Sequence, residues 1–245
     1  MVSHIAIFAL LSICHLGCAS DVTSVEITVD WDQEPVGKVD KKEFSVNWST
    51  WMLGDKVYPG TIDLNNESIQ RLIKDLGPSY WRTSGTTVNG VEIIDKSEDI
   101  YVPIPPDVKA VLKHQKEVNT TYETFDQLID FLVKVDSELV LGFNQLLRDW
   151  PNGQICTGEQ GSCPWIDTNA RPWIQHMKDT NAPVFGFELG NEPGCYMQRD
   201  YDWEHSTGIT PDDAAADFAA LKSVVEEVYK GTEFIPKVLG PDTGG

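Results

Sequence analysis

The run Val184-Phe185-Gly186-Phe187-Glu188-Leu189-Gly190-Asn191-Glu192-Pro193-Gly194 decides how this chain is read, because an apolar segment stops there at an amide, a carboxylate and a proline. Its apolar residues suit a strand covered on both faces, as in a parallel sheet. Pro193 has no N–H to give, so the ladder is expected to break there. Glu192 then falls where strand becomes loop. A carboxylic acid at that place can protonate a leaving-group oxygen, while Asn191 beside it can orient a neighbouring hydroxyl. Glu188 lies four residues earlier, and strand parity predicts that it shares a side with Glu192 but sits lower.

Working outward, strands and helices alternate. Val22 to Asp30 alternates apolar and polar residues and reads as a half-exposed strand, ended by Gln33-Glu34-Pro35; Phe44 to Trp48 reads as a second. A helix follows with apolar positions Ile69, Leu72, Ile73 and Leu76, capped by Asn65 or Asn66 and stopped by Gly77-Pro78. Ser79 to Thr87 is a short strand opening into a polar loop. Residues 89 to 118 carry no clear period and read as an excursion outside the repeating unit. Thr121 to Lys134 resumes with a helix whose inner face is Phe125, Leu128, Ile129, Phe131 and Leu132. Glu138 to Asn144 is the next buried strand, Ile166 to Asp179 the next helix, and after the Glu192 strand Pro211 opens a helix with the stripe Phe218, Leu221, Val224, Val225 and Val228. Lys237 to Asp242 is a last strand and its loop. This is the βαβα pattern of a parallel α/β sheet, about five units long, with polar residues (Asn144, Asn191, Glu192, Asp242) at strand ends. No G-x-G-x-x-G follows a strand, so a dinucleotide site has no support.

Composition sets the limits. With 245 residues, 41% of them hydrophobic and 23% charged, the chain can bury a sizeable core and is not a disordered segment. Against 38 acidic residues stand 19 Lys and Arg, a formal charge of −19, which argues against nucleic acid as a partner and against densely sulfated glycans. Residues 1–20 hold no Asp, Glu, Lys or Arg and carry the apolar run Ile5 to Ile13, which looks like a secretory signal; the run is too short for a confident membrane span. Cys156 and Cys163 bracket a short polar loop that can close as a disulfide, Cys195 is left over, and no His joins the cysteines at zinc spacing, so no metal and no cofactor is expected. Of three N-x-Ser/Thr sequons, Asn66 and Asn119 are plausible glycan acceptors, whereas Asn47 falls inside an expected strand.

Five ordered segments carry a resemblance: Gln33-Glu34-Pro35; Leu76 to Arg82 with Gly85-Thr86; Leu141-Gly142-Phe143-Asn144-Gln145-Leu146-Leu147-Arg148; Leu189 to Pro193; and Gly240-Pro241-Asp242. Together they resemble the heparanase-like β-glucuronidases of glycoside hydrolase family 79. The resemblance implies a (β/α)8 barrel, present here as roughly its first five β/α units over residues 21–245, since a whole barrel takes about 250 residues. It implies a secreted, lysosomal or cell-surface-associated retaining glycosidase acting on a glucuronic-acid-containing carbohydrate. Glu192 would be the general acid/base, with Asn191, Thr86, Gly85, Asn144 and Ser49 toward the sugar; for Asn144 a plain strand-end cap is the equal alternative. Arg82 reads better as an ion-pair partner under the rim than as a ligand of the sugar. Ser49 stands where the family's heparanases carry a substrate-contacting Asp, and residues 89 to 118 lack their long linker and Lys-rich segment. The nucleophile, about 5 to 5.5 Å from the acid in retaining enzymes, is expected on a later strand, with the second half of the barrel and a β-sandwich after it. The rival expectation is a glycan-binding or inactive fragment without turnover.

Overall fold

The computed structural model describes residues 42, 45–49, 63–85, 88, 91–93, 118–149, 163–192 and 209–241, all within the unit Val39–Gly245. The signal at residues 1–20, the strand expected at 22–30, Thr86, Cys156, Pro193, Cys195 and Asp242 lie outside them.

Five strands, β1 (Val46–Ser49), β2 (Tyr80–Ser84), β5 (Glu138–Phe143), β6 (Val184–Leu189) and β7 (Lys237–Leu239), form one sheet in that spatial order, every pair parallel. Neighbours in space are thus neighbours in chain order within this sheet. A doubly wound sheet would reverse its order at a switch point and place helices on both faces. Here the helix side chains meet one face. Phe131 of α2 (Tyr122–Lys134) packs edge-on to Trp81 at 5.0 Å, and Phe187 lies 6.5 Å from Tyr229, just after α4 (Pro211–Val228). Leu139, Leu141, Phe143 and Leu189 join the same core with Trp173, Ile174 and Met177 of α3 (Ala170–Asp179). Burying each of these large side chains stabilises by about 1.5–3 kcal/mol.

Local chemistry sets the helix ends. Asn66 rather than Asn65 caps α1 (Glu67–Leu76), its Oδ1 accepting from the N–H groups of Ser68 and Ile69. Thr121 caps α2 through Thr124 N–H, and Thr210 and Asp213 form a reciprocal capping box ahead of Pro211. The outer surfaces are then laced: His176 to Asp126 at 2.7 Å joins α3 to α2, and Arg171 to Glu227 at 3.1 Å joins α3 to α4.

The excursion read at 89 to 118 holds, among the described residues, a second sheet outside the first: β3 (Val91–Ile93) and β4 (Val118–Thr120) pair in parallel, and at three residues each they are too short to show a period. Asn119 sits on β4. Two helix expectations need correction. In α1 the stripe buries nothing fully: Ile73 leans on the core while Leu72 and Leu76 are 65% and 75% exposed. In α4, Phe218 is only partly buried and Asp217 is buried instead. No described helix is long and apolar enough to cross a membrane.

Candidate active site

The face of the sheet turned away from the helices is polar toward its carboxyl end. Asn47, Arg82, Ser84 and Glu188 meet there, although they come from three strands. Arg82 Nε donates to Glu188 Oε2 at 2.7 Å, Nη2 donates to Ser84 Oγ at 3.0 Å and to Asn191 Oδ1 at 3.4 Å, and Nη1 donates to Asn47 Oδ1 at 3.4 Å. The ion-pair role expected of Arg82 is what its geometry gives, and its partner is Glu188. The pair is partly shielded, with side chains 21% and 12% exposed.

β6 ends earlier than Pro193 suggested. Its last residue is Leu189, and Gly190 N–H makes a further bond to Phe143 carbonyl at 2.8 Å. The chain then turns through left-handed backbone at Gly190 (φ 70°) and again at Glu192 (φ 49°). Glycine adopts that conformation freely; a glutamate there costs about 1–2 kcal/mol, a strain of the kind that clusters at functional sites. Period-two counting therefore stops at Leu189 and does not fix the side on which Glu192 lies. Asn191, buried, is the residue whose side chain reaches the Arg82 cluster; Glu192 is half-buried beside it.

The other expected site residues divide. Ser49 and Gly85 lie together at the carboxyl ends of β1 and β2: a Cβ on Gly85 would stand 3.3 Å from Ser49 Oγ. Asn144, directly after β5, spends its Oδ1 on Leu146 N–H at 2.8 Å while its carbonyl accepts from Trp165 Nε1, which is the strand-end cap; its Nδ2 is buried with no protein partner. Thr86 lies outside the described residues. Cys163 is disulfide-bonded, whereas Cys156 is outside the described residues. Asn66 is exposed and caps α1 with its oxygen, which leaves its nitrogen, the atom a glycan would take, turned from the helix. Asn47 accepts from Arg82, a tie that sequence reading missed because nothing local signals it.

Also missed was a buried network on the helix side. Arg148, read only as part of a motif, holds Asp217 of α4 bidentately, Nη1 to Oδ2 at 2.5 Å and Nη2 to Oδ1 at 3.0 Å, with both side chains 2% exposed. Gln145 Nε2 donates to Asp217 at 3.0 Å and Arg148 Nε to Cys163 carbonyl at 2.6 Å, so the loop after β5 is tied to α4. The one signal available in sequence was Asp217's position four residues before Leu221 on the buried stripe.

Fold and site together define an α/β protein with a singly wound parallel sheet whose candidate polar groups gather at the carboxyl ends of β2 and β6. The chain belongs to glycosyl hydrolase family 79: the model of that family's N-terminal domain matches residues 16–244. It is 27% identical over 183 residues to heparanase-like protein 3 of Arabidopsis thaliana, covering 74% of this chain and 32% of that protein. It is 22% identical over 255 residues to baicalin-beta-D-glucuronidase of Scutellaria baicalensis (96% and 46%), and 22% identical over 233 residues to hyaluronoglucuronidase of Hirudo nipponia (90% and 44%). The chain thus spans a third to a half of the length of these relatives. Among solved structures it is similar to a 4-O-alpha-L-rhamnosyl-beta-D-glucuronidase from Fusarium oxysporum, with a TM-score of 0.45 and 15% identity, over 84% of this chain and 38% of that one.

Proposed function

We propose that this chain is the N-terminal part of the catalytic domain of a secreted, retaining glycoside hydrolase that cleaves glucuronic-acid-containing glycans or glycosides. Glu192 is its general acid/base. The observation that carries the reading is the Gly190–Glu192 turn: a carboxylic acid in left-handed backbone at the end of a parallel strand, beside an amide anchored to a polar sheet face. Chain-order strands with helices on one face support a (β/α)8 barrel, of which these are the first units. In this reading Asn191, Gly85, Thr86 and Ser49 line the sugar subsite.

The mechanism needs two carboxyl groups about 5 to 5.5 Å apart on opposite sides of the scissile bond. Glu188 lies within β6 and pairs with Arg82 of β2, and it does not fill the second place. The nucleophile comes from a strand later in the barrel. It attacks the anomeric carbon as Glu192 gives its proton to the departing oxygen; Glu192 then takes a proton from water, which releases the glycosyl group. Relatives named as glucuronidases support glucuronic acid as the sugar, and the net charge of −19 argues against heavily sulfated chains. A disulfide-bonded Cys163 supports export, with residues 1–20 as leader and Asn66 and Asn119 as glycan acceptors.

The test is Glu192→Gln in the full-length protein, assayed on a glucuronide with a poor leaving group and on an activated aryl β-glucuronide. The first should slow by about 10²–10⁴-fold. On the second, the covalent intermediate should accumulate, and azide should restore turnover as a glycosyl azide of unchanged anomeric configuration. Full activity of the variant on both substrates would overturn the assignment. A parent protein that binds the sugar without cleaving it would favour the glycan-binding alternative.

A further inference from the structure

Arg82 starts on β2 and finishes on β6, with the whole of β5 between them. Strands lie about 4.8 Å apart, so the side chain must cross about 10 Å of sheet. Register puts Val140 beside Arg82 and Gly142 beside Glu188, so the crossing passes a position without a side chain. A Cβ at Gly142 would stand 3.0 Å from Ser84 Oγ and 3.2 Å from both Thr83 carbonyl and Val88 Cγ2. Glycine at this point leaves room for Ser84, which is itself a partner of Arg82.

We infer that Arg82 is the positioning residue of this site, acting through Asn191. A guanidinium only donates hydrogen bonds, so the Asn191 atom facing it is the oxygen, and the Asn191 NH₂ faces away from the sheet interior. Among the described residues nothing accepts from that NH₂, and the Arg82 contact is the side-chain bond that holds the Gly190–Glu192 turn. Arg82 therefore does two things at once. It neutralises Glu188, and it presents a donor pair next to Glu192 to an oxygen of the ligand. A lysine could do the first but, as a single ammonium, not both together.

The kinetic arm of the test rests on the glycosidase reading; the structural arm does not. In the full-length protein, Arg82→Lys and the pair Arg82→Met with Glu188→Leu are compared with the parent by thermal unfolding, by hydrogen exchange of the peptide covering 189–192, and by kcat and KM on 4-methylumbelliferyl β-glucuronide. Removing both charges orphans neither member of this pair, so the paired variant should melt within about 3 °C of the parent. The 189–192 peptide should nevertheless exchange about tenfold faster, with α4 and β7 unchanged. In both variants kcat should fall about a hundredfold while KM changes less than about threefold. Unchanged exchange at 189–192 in the paired variant, or an equal rise in α4 and β7, would overturn the inference. A parent without hydrolysis would remove the proposed function, and the exchange result would still decide the role of Arg82.

Discussion

Two arginine–carboxylate pairs, Arg148–Asp217 and Arg82–Glu188, divide the labour of this molecule between the two sides of its sheet. The first is sealed between the loop after β5 and α4, with side chains 2% exposed; the second lies on the face turned away from the described helices and is 21% and 12% exposed. Both are charge-assisted and close. What separates them is the rest of their bonding: Arg148 is used up by backbone carbonyls and Asp217, whereas Arg82 reaches onward to the turn that carries Glu192. The same chemistry thus secures scaffold on one side and, in the proposed reading, orients Asn191 on the other.

If that division holds, the largest stability effect belongs to the sealed pair. Asp217→Ala should cost about 3–5 kcal/mol in urea unfolding, because it strands Arg148 in a dry site. Arg148→Met with Asp217→Leu should recover most of the loss. An effect below about 1 kcal/mol for the single change would mean that water reaches the pair.

The dryness of the helix side can be read independently through Tyr229. Burial first, and the nearby charge of Asp179 second, push its phenol up to about 12. An unfolded tyrosine ionises near 10. Between about pH 10 and pH 12 the unfolded chain gives up this proton first, so stability is whole below pH 10 and falls by about 2–3 kcal/mol toward pH 12. Tyr229→Phe should make that decline shallower, measured by unfolding at stepped pH.

On the face away from the described helices, Glu188→Ala should cost about 1–2 kcal/mol, part of which 1 M salt should hide, since that pair is only partly shielded. Equal costs for Glu188→Ala and Asp217→Ala would break the comparison. The surface pair Lys222–Glu226, with side chains 64% and 52% exposed, sets the floor: Lys222→Ala should change stability by no more than about 0.5 kcal/mol.

How much of this could be read in sequence depends on how far apart the partners lie. The stripe Phe125, Leu128, Ile129, Phe131 and Leu132 is written at helical spacing and is buried as expected. The strands around 138–143 and 184–189 are continuous apolar runs and sit side by side as expected. Leu72 and Leu76 obey the same periodicity yet lie exposed, because period reports a face and not what covers it. Asp217 and Arg148 are 69 positions apart, and Arg82 and Glu188 are 106; no local pattern announces such pairs. Asn191 and Glu192 stand out in sequence because they follow a strong strand. The left-handed backbone at Glu192, which undoes strand parity there, has no sequence signature outside glycine.

The chain-order arrangement of the sheet also bears on how the molecule is made. Each new strand of the five joins the edge left by the one before it, from β1 through β7. On a ribosome delivering the chain from its N-terminus at about 5–20 residues per second, every strand emerges to find its docking edge already built. Assembly can then run as a ratchet, one β–α step at a time, without waiting for a distant segment. Slowing translation just after β5 should therefore give a protease-resistant nascent intermediate containing β1, β2 and β5, a footprint that a doubly wound order, whose later strands must return to the far side of the first, would not leave.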